Sequence, residues 1–167
     1  MAELDFPQTL VGIAELAVAL AGFTGVVVAL SSRNQGGWHP GDRLRLVFLL
    51  EAALTAAGFA LLALVLLHTF PETASVAWTT ASGLWALFMV RSLYSSHRRI
   101  RENPAKHGDI DHFANRVVLV LFSILILTQV VNVFFWREFA PLLAALCLNL
   151  AGAAMQFARL VRAAFRD

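Results

Sequence analysis

The sequence predicts an all-α membrane protein with five transmembrane helices, its N-terminus outside and its C-terminus in the cytoplasm. Three observations carry this reading. Of 167 residues, 59% are hydrophobic and 14% charged, with a mean hydropathy of +0.70. Soluble domains carry about a quarter charged residues, so the composition belongs to a polytopic membrane chain. Five apolar stretches are each long enough to cross the roughly 30 Å of bilayer hydrocarbon at about 1.5 Å per helical residue. The basic residues, finally, fall almost entirely on one side of the resulting topology.

The five spans cover residues 7–30, 44–67, 71–94, 117–136 and 139–158. The first could be mistaken for a signal peptide, but Glu3 and Asp5 stand where a basic region belongs and the apolar run is too long. We read it as a retained first span. D-F-P-Q at residues 5–8 and T-F-P-E at residues 69–72 resemble helix starts, each with a capping residue, a partner three later and a proline in the first turn. F-A-P at residues 139–141 opens the fifth span in a similar way. Connections at 68–71 and 136–139 are very short, while a glycine-rich loop and a charged loop join the remaining spans. No linker is long enough to separate domains, so residues 1–167 read as a single five-span membrane domain.

Five spans place Arg33, Arg43, Arg45, Arg91, Arg98, Arg99, Arg101, Lys106, Arg116, Arg159, Arg162 and Arg166 on one side, leaving only Arg137 of the 13 Lys and Arg residues on the other. The positive-inside rule makes the rich side cytoplasmic. The pI near 9.3 is therefore a topology signal, and nothing points to nucleic acid as a partner.

Charged and amide side chains inside hydrocarbon are costly and mark functional candidates. Eight residues inward from Pro7, Pro71 and Pro141 stand Glu15, Thr79 and Asn149, roughly 12 Å deep by helical rise. Gln129, seven residues before Trp136, and Asn132, one turn nearer the surface, join them in an expected outer polar layer. Thr24, Glu51, Arg91 and Gln156 make a second layer toward the cytoplasm, where Arg91 either pairs with Glu51 or extends to the headgroups. Small residues that allow close helix approach include Ala21, Gly22, Gly25, Gly58 and Gly152. Glu15, Ala19, Gly22 and Val26 share a stripe, as do Glu51, Thr55 and Gly58, and Ala145, Asn149, Gly152 and Gln156. We expect these stripes to face the interior, with spans 1, 2 and 5 central and the Phe- and Leu-rich faces of spans 3 and 4 toward lipid.

Glu15 is either an ion or proton site or a carboxyl that locks helices together through Gln129 and Asn149. Packing hydrogen bonds are the default for Thr79, Gln129, Asn149 and Gln156. His68, His97 and His112 lie at span ends, so no mid-membrane histidine pair is present for haem. H-G-D-I-D-H at residues 107–112 has loose metal-ligand spacing that helix capping explains more simply. Cys147 is the sole cysteine, which excludes an intrachain disulfide. With no catalytic motif visible, we expect no enzyme, no metal and no cofactor.

The run A-E-L-A-V-A-L-A-G-F-T-G at residues 14–25, followed by W-H-P-G-D-R-L-R-L at residues 38–46, resembles a family of uncharacterised small bacterial inner-membrane proteins. Their first helix carries an E-x6-G-F-[ST]-G pattern and their second a W-x-x-x-D-R-x-R-L lead-in. The resemblance covers spans 1 and 2 and implies a multi-pass protein of the bacterial inner membrane; it implies no activity. The expected function is an oligomeric cation or proton channel or transporter using Glu15, with Glu51 as a second station. The alternative is an accessory or assembly subunit of a larger membrane complex. Besides the lipid bilayer, the expected partners are further copies of the chain or other membrane subunits.

Overall fold

The computed structural model describes residues 5–34, 40–102 and 112–164. All regular structure among them is helical: α1 (Phe6–Asn34), α2 (Pro40–Thr69), α3 (Ala74–Glu102), α4 (His112–Val131), a π-helical turn (Asn132–Trp136) and α5 (Phe139–Ala164). Four helical segments are long and apolar enough to cross a membrane: Phe6–Ala29, Arg45–Thr69, Leu119–Trp136 and Phe139–Arg162. The chain thus has the build of a multi-pass integral membrane protein. At 29 residues α3 is also long enough, rising about 43 Å. Its first half is less apolar because Ser75, Thr79, Thr80, Ser82 and Gly83 are interleaved with its alanines and tryptophans.

Local chemistry explains the helix ends. The Gln8 N–H donates to Asp5 Oδ1 at 3.2 Å, and the Thr9 hydroxyl donates to the Asp5 carbonyl at 2.9 Å. Asp5 therefore caps α1 as the D-F-P-Q pattern predicts, satisfying a donor that has no partner within the helix. The T-F-P-E reading needs correction. Thr69 is the last residue of α2, whose ladder continues one bond further through Phe70 N–H to the Leu66 carbonyl at 2.9 Å. Pro71 and Glu72 form a turn, and α3 begins at Ala74. Thr79 consequently lies only about five residues, or 7.5 Å, into its helix, shallower than the proline count suggests.

Hydroxyls within the apolar helices bond to their own backbone. Thr24, Thr55, Ser123 and Thr128 donate to the carbonyls of Leu20, Glu51, Leu119 and Ile124 at 2.6–2.9 Å. This satisfies each hydroxyl where hydrocarbon offers no partner.

The chain divides into two compact units. The first contains α1, α2 as far as Val65, and α5 from Ala144. Each of its helices carries one buried stripe: Leu10, Ile13, Ala14, Ala17 and Thr24 on α1; Leu49, Ala53, Ala56, Ala60 and Ala63 on α2; Ala145, Leu146, Asn149, Ala153 and Leu160 on α5. The spacings of three and four residues are those of one helical face. Alanine dominates, so contact here comes from close backbone approach more than from large interlocking side chains.

The second unit is Leu66–Leu143. Its α3 buries Ala77, Trp78, Ala81, Ser82, Trp85, Ala86 and Met89, while Leu84, Leu87, Phe88 and Val90 are exposed. Among the described side chains of helix α4, only Leu125 and Gln129 are buried, while Val117, Leu119, Val120, Leu121, Ile124, Leu127 and Val130 are exposed. These exposed apolar faces fit contact with lipid, as expected for spans 3 and 4. The Trp78 and Phe139 rings meet at a centroid distance of 4.8 Å, tilted by 47°.

Candidate functional site

Two groups of polar residues stand out, one in each unit. In the first unit the carboxylates come from α1 and α2. The stripes expected from the sequence exist, but on both helices they point outward. On α1 the buried face is Leu10–Ile13–Ala14–Ala17–Thr24, and Glu15, Ala19, Gly22 and Val26 occupy the opposite, exposed side. On α2, Glu51 and Gly58 are exposed and Thr55 is half-buried, facing away from Leu49, Ala53, Ala56 and Ala60. Glu15 and Glu51 therefore stand among exposed apolar side chains, including Leu16, Val18, Leu54 and Leu61.

The glycines agree with this arrangement. A Cβ placed on Gly22, Gly25, Gly58 or Gly152 would meet nothing within 4 Å. The expected close approach is thus not made by these glycines among the described residues, while Ala21 is half-buried. The buried positions on α1 and α2 are taken by the alanine-rich opposite faces instead. The α5 stripe does face inward: Asn149 is buried, and Gly152 and Gln156 are half-buried. Asn149 Nδ2 and Gln156 Oε1 are buried without hydrogen-bond partners.

In the second unit the amides form a clamp around the α4–α5 reversal. The Asn132 carboxamide donates through Nδ2 to Ser82 Oγ at 2.9 Å and to the Glu138 carbonyl at 3.0 Å. Its Oδ1 accepts the Glu138 N–H at 3.0 Å. One side chain therefore engages both polar groups of a single peptide residue beyond the reversal and also reaches α3. One turn earlier, Gln129 Nε2 donates to the Pro141 carbonyl at 2.7 Å. Gln129, Asn132 and Ser82 are all fully buried.

The backbone of the reversal is equally constrained. Arg137 N–H donates to the Asn132 carbonyl at 2.8 Å, closing the wider π-type turn, and Arg137 adopts φ 56°, ψ 37°. It is the one non-glycine residue with positive φ among the described residues. The Asn132 side chain takes up the carbonyl and the N–H of Glu138 within the two-residue connection, so both backbone groups have partners.

Gln129 and Asn132 have their donors committed to the clamp, and Thr79 is a half-buried residue of α3. Thr24 is buried but bonded to its own helix, while Glu51 and Arg91 are exposed. Sequence reasoning missed Ser82, whose signal was its spacing of one turn from Trp78 and Trp85 on the buried face. It also missed the Glu138 backbone, which leaves no trace in residue type. No group of three or more His, Cys, Asp and Glu able to hold a metal occurs among the described residues, and residues 107–111 lie outside them. Compared with known proteins, the chain matches no protein-family model, no curated protein and no solved structure.

Proposed function

We propose that the protein is a small inner-membrane protein that conducts cations or protons along a path formed between copies of itself, with Glu15 as its titratable station and Glu51 as a second. The observation that carries this reading is the outward placement of both carboxylates on apolar helices. An ionised carboxylate facing lipid costs several kcal/mol on most scales, so such groups ordinarily face protein or water. Only 22% of the apolar window of α1 is buried within the chain, leaving its Glu15 face open to a neighbouring subunit. Carboxylates lining a shared path would favour cations. The commitment of Gln129 and Asn132 to the clamp also argues against a polar route through the interior of one chain. This reading keeps five crossings, N-out and C-in, from the charge map; it assigns no catalytic residue and no cofactor. The bacterial setting rests on the resemblance of the first two spans.

The test is ion and proton flux in liposomes containing purified protein, compared with Glu15→Gln and Glu51→Gln. Flux that falls at least tenfold in Glu15→Gln with an unchanged oligomer supports the proposal. No flux in the wild-type protein sinks it. The uncovered glycines of α1 and α2 also favour the second reading, an accessory or assembly subunit whose partner helices cover that face. Stable co-purification with a different membrane protein, in the absence of self-association, would select that reading.

A further inference from the structure

One turn from the Ser82–Asn132 bond, two buried polar atoms of unit 2 lack a partner: Trp85 Nε1 and Gln129 Oε1. Both side chains are 0% exposed. Their register follows from two contacts. Trp78 of α3 meets Phe139, whereas Ser82, one turn later, meets Asn132. Advancing along α3 therefore means moving back along the following chain, so α3 and α4 run antiparallel at this point. Three residues beyond Ser82 is Trp85, and three before Asn132 is Gln129. Met89 and Leu125, both buried, continue the same faces with apolar side chains.

The two atoms are complementary in kind. Indole Nε1 can only donate. Gln129 Oε1 can only accept, because the other end of the amide is fixed by its bond to the Pro141 carbonyl. Neither has access to solvent, and a buried polar atom without a hydrogen bond is strongly disfavoured. A ligand serving both must accept at one end and donate at the other. An ammonium cannot accept, an ionised carboxylate cannot donate, and a metal cation is repelled by the indole hydrogen. A hydroxyl-type ligand meets both demands.

We infer that Trp85 and Gln129 form a binding site for one buried water molecule between α3 and α4, which accepts from the indole and donates to the amide oxygen. The water extends the clamp into a chain from the Trp85 indole through Gln129 to the Pro141 carbonyl, tying α3 to the start of α5. A buried water needs two to four polar partners, and the indole N–H and the amide oxygen supply two. The inference rests on unit 2 alone and is independent of conduction.

The experiment is solid-state NMR of the full-length, indole-¹⁵N-labelled protein in lipid bilayers. One indole N–H signal, identified by its contacts to Gln129 side-chain carbons and by its loss in Trp85→Phe, should show a cross-peak to a slowly exchanging water proton. Gln129→Met, close in shape but without the acceptor, should abolish that cross-peak and shift the indole nitrogen. A Trp85 indole N–H without a water cross-peak in the wild-type protein overturns the inference, including the case of a direct Trp85–Gln129 bond. So does a cross-peak that persists unchanged in Gln129→Met. If either variant fails to fold, the wild-type cross-peak and the contacts to Gln129 decide the matter alone.

Discussion

Asn132→Ala removes three hydrogen bonds at once, those to Ser82 Oγ, the Glu138 carbonyl and the Glu138 N–H. Buried hydrogen bonds between membrane helices average about 0.6 kcal/mol and reach about 1.7, so the three together are worth roughly 2–4 kcal/mol. Unpaired Glu138 and Ser82 groups push the loss toward the upper end, because an orphaned buried donor costs more than a bond to it contributes. Ser82→Ala removes only one of the three bonds and should cost about 0.6–1.5 kcal/mol. Because the two side chains share a bond, the double variant should be less destabilised than the sum of the singles by about 0.5 kcal/mol or more. Reversible unfolding in mixed micelles gives these differences. Amide exchange at Glu138 gives a local readout, since its N–H should lose protection in Asn132→Ala. An Asn132→Ala protein within about 0.5 kcal/mol of wild type, or strict additivity with Ser82→Ala, would refute the clamp.

Three further outcomes are expected. Arg137→Gly should stabilise the reversal by up to about 1 kcal/mol, because the left-handed backbone at φ 56° burdens any residue with a Cβ; Arg137→Val should cost about 1–2 kcal/mol, both read by thermal unfolding in detergent. Gly83→Ala should be tolerated, since its Cβ would sit at an ordinary 3.6 Å from Val133 Cγ2, whereas Gly83→Leu should overpack the contact and cost about 1–3 kcal/mol in the same assay. In a Cys147→Ser background, single cysteines at Glu72 and Glu138 should react with a membrane-impermeant maleimide from outside intact cells, and one at Arg98 should not. All three positions are exposed, and labelling of Glu72 and Arg98 from the same side would mean that α3 does not cross.

Much of the fold was legible because membrane helices announce themselves by length. The α1 cap at Asp5, the short 136–139 reversal and the apolar faces of α3 and α4 followed from residue type and spacing. The start of α3 was not legible, because T-F-P-E fits both a helix start and a helix end, and only the extra bond from Phe70 to Leu66 decides between them. The candidate residues were legible one by one, since an amide or carboxylate in hydrocarbon is conspicuous. Their grouping was not. Depth counted from prolines says how far along a helix a residue lies and nothing about which way it points.

The sequence by itself determined the membrane class and the helical segments, because hydropathy acts on each segment independently of its neighbours. The tertiary structure decided which face of each helix is covered. In water, amphipathicity marks the buried face, but lipid is as apolar as a protein core, so the alanine face and the Glu15 face of α1 look alike by hydropathy. Packing put Leu10, Ala14 and Ala17 inward and left Glu15 and Gly22 outside. It likewise joined Asn132 to Ser82 and to the Glu138 backbone, partners separated in sequence by 50 residues and by 6. No periodicity in the chain encodes such a bond, because it depends on the angle at which two helices meet.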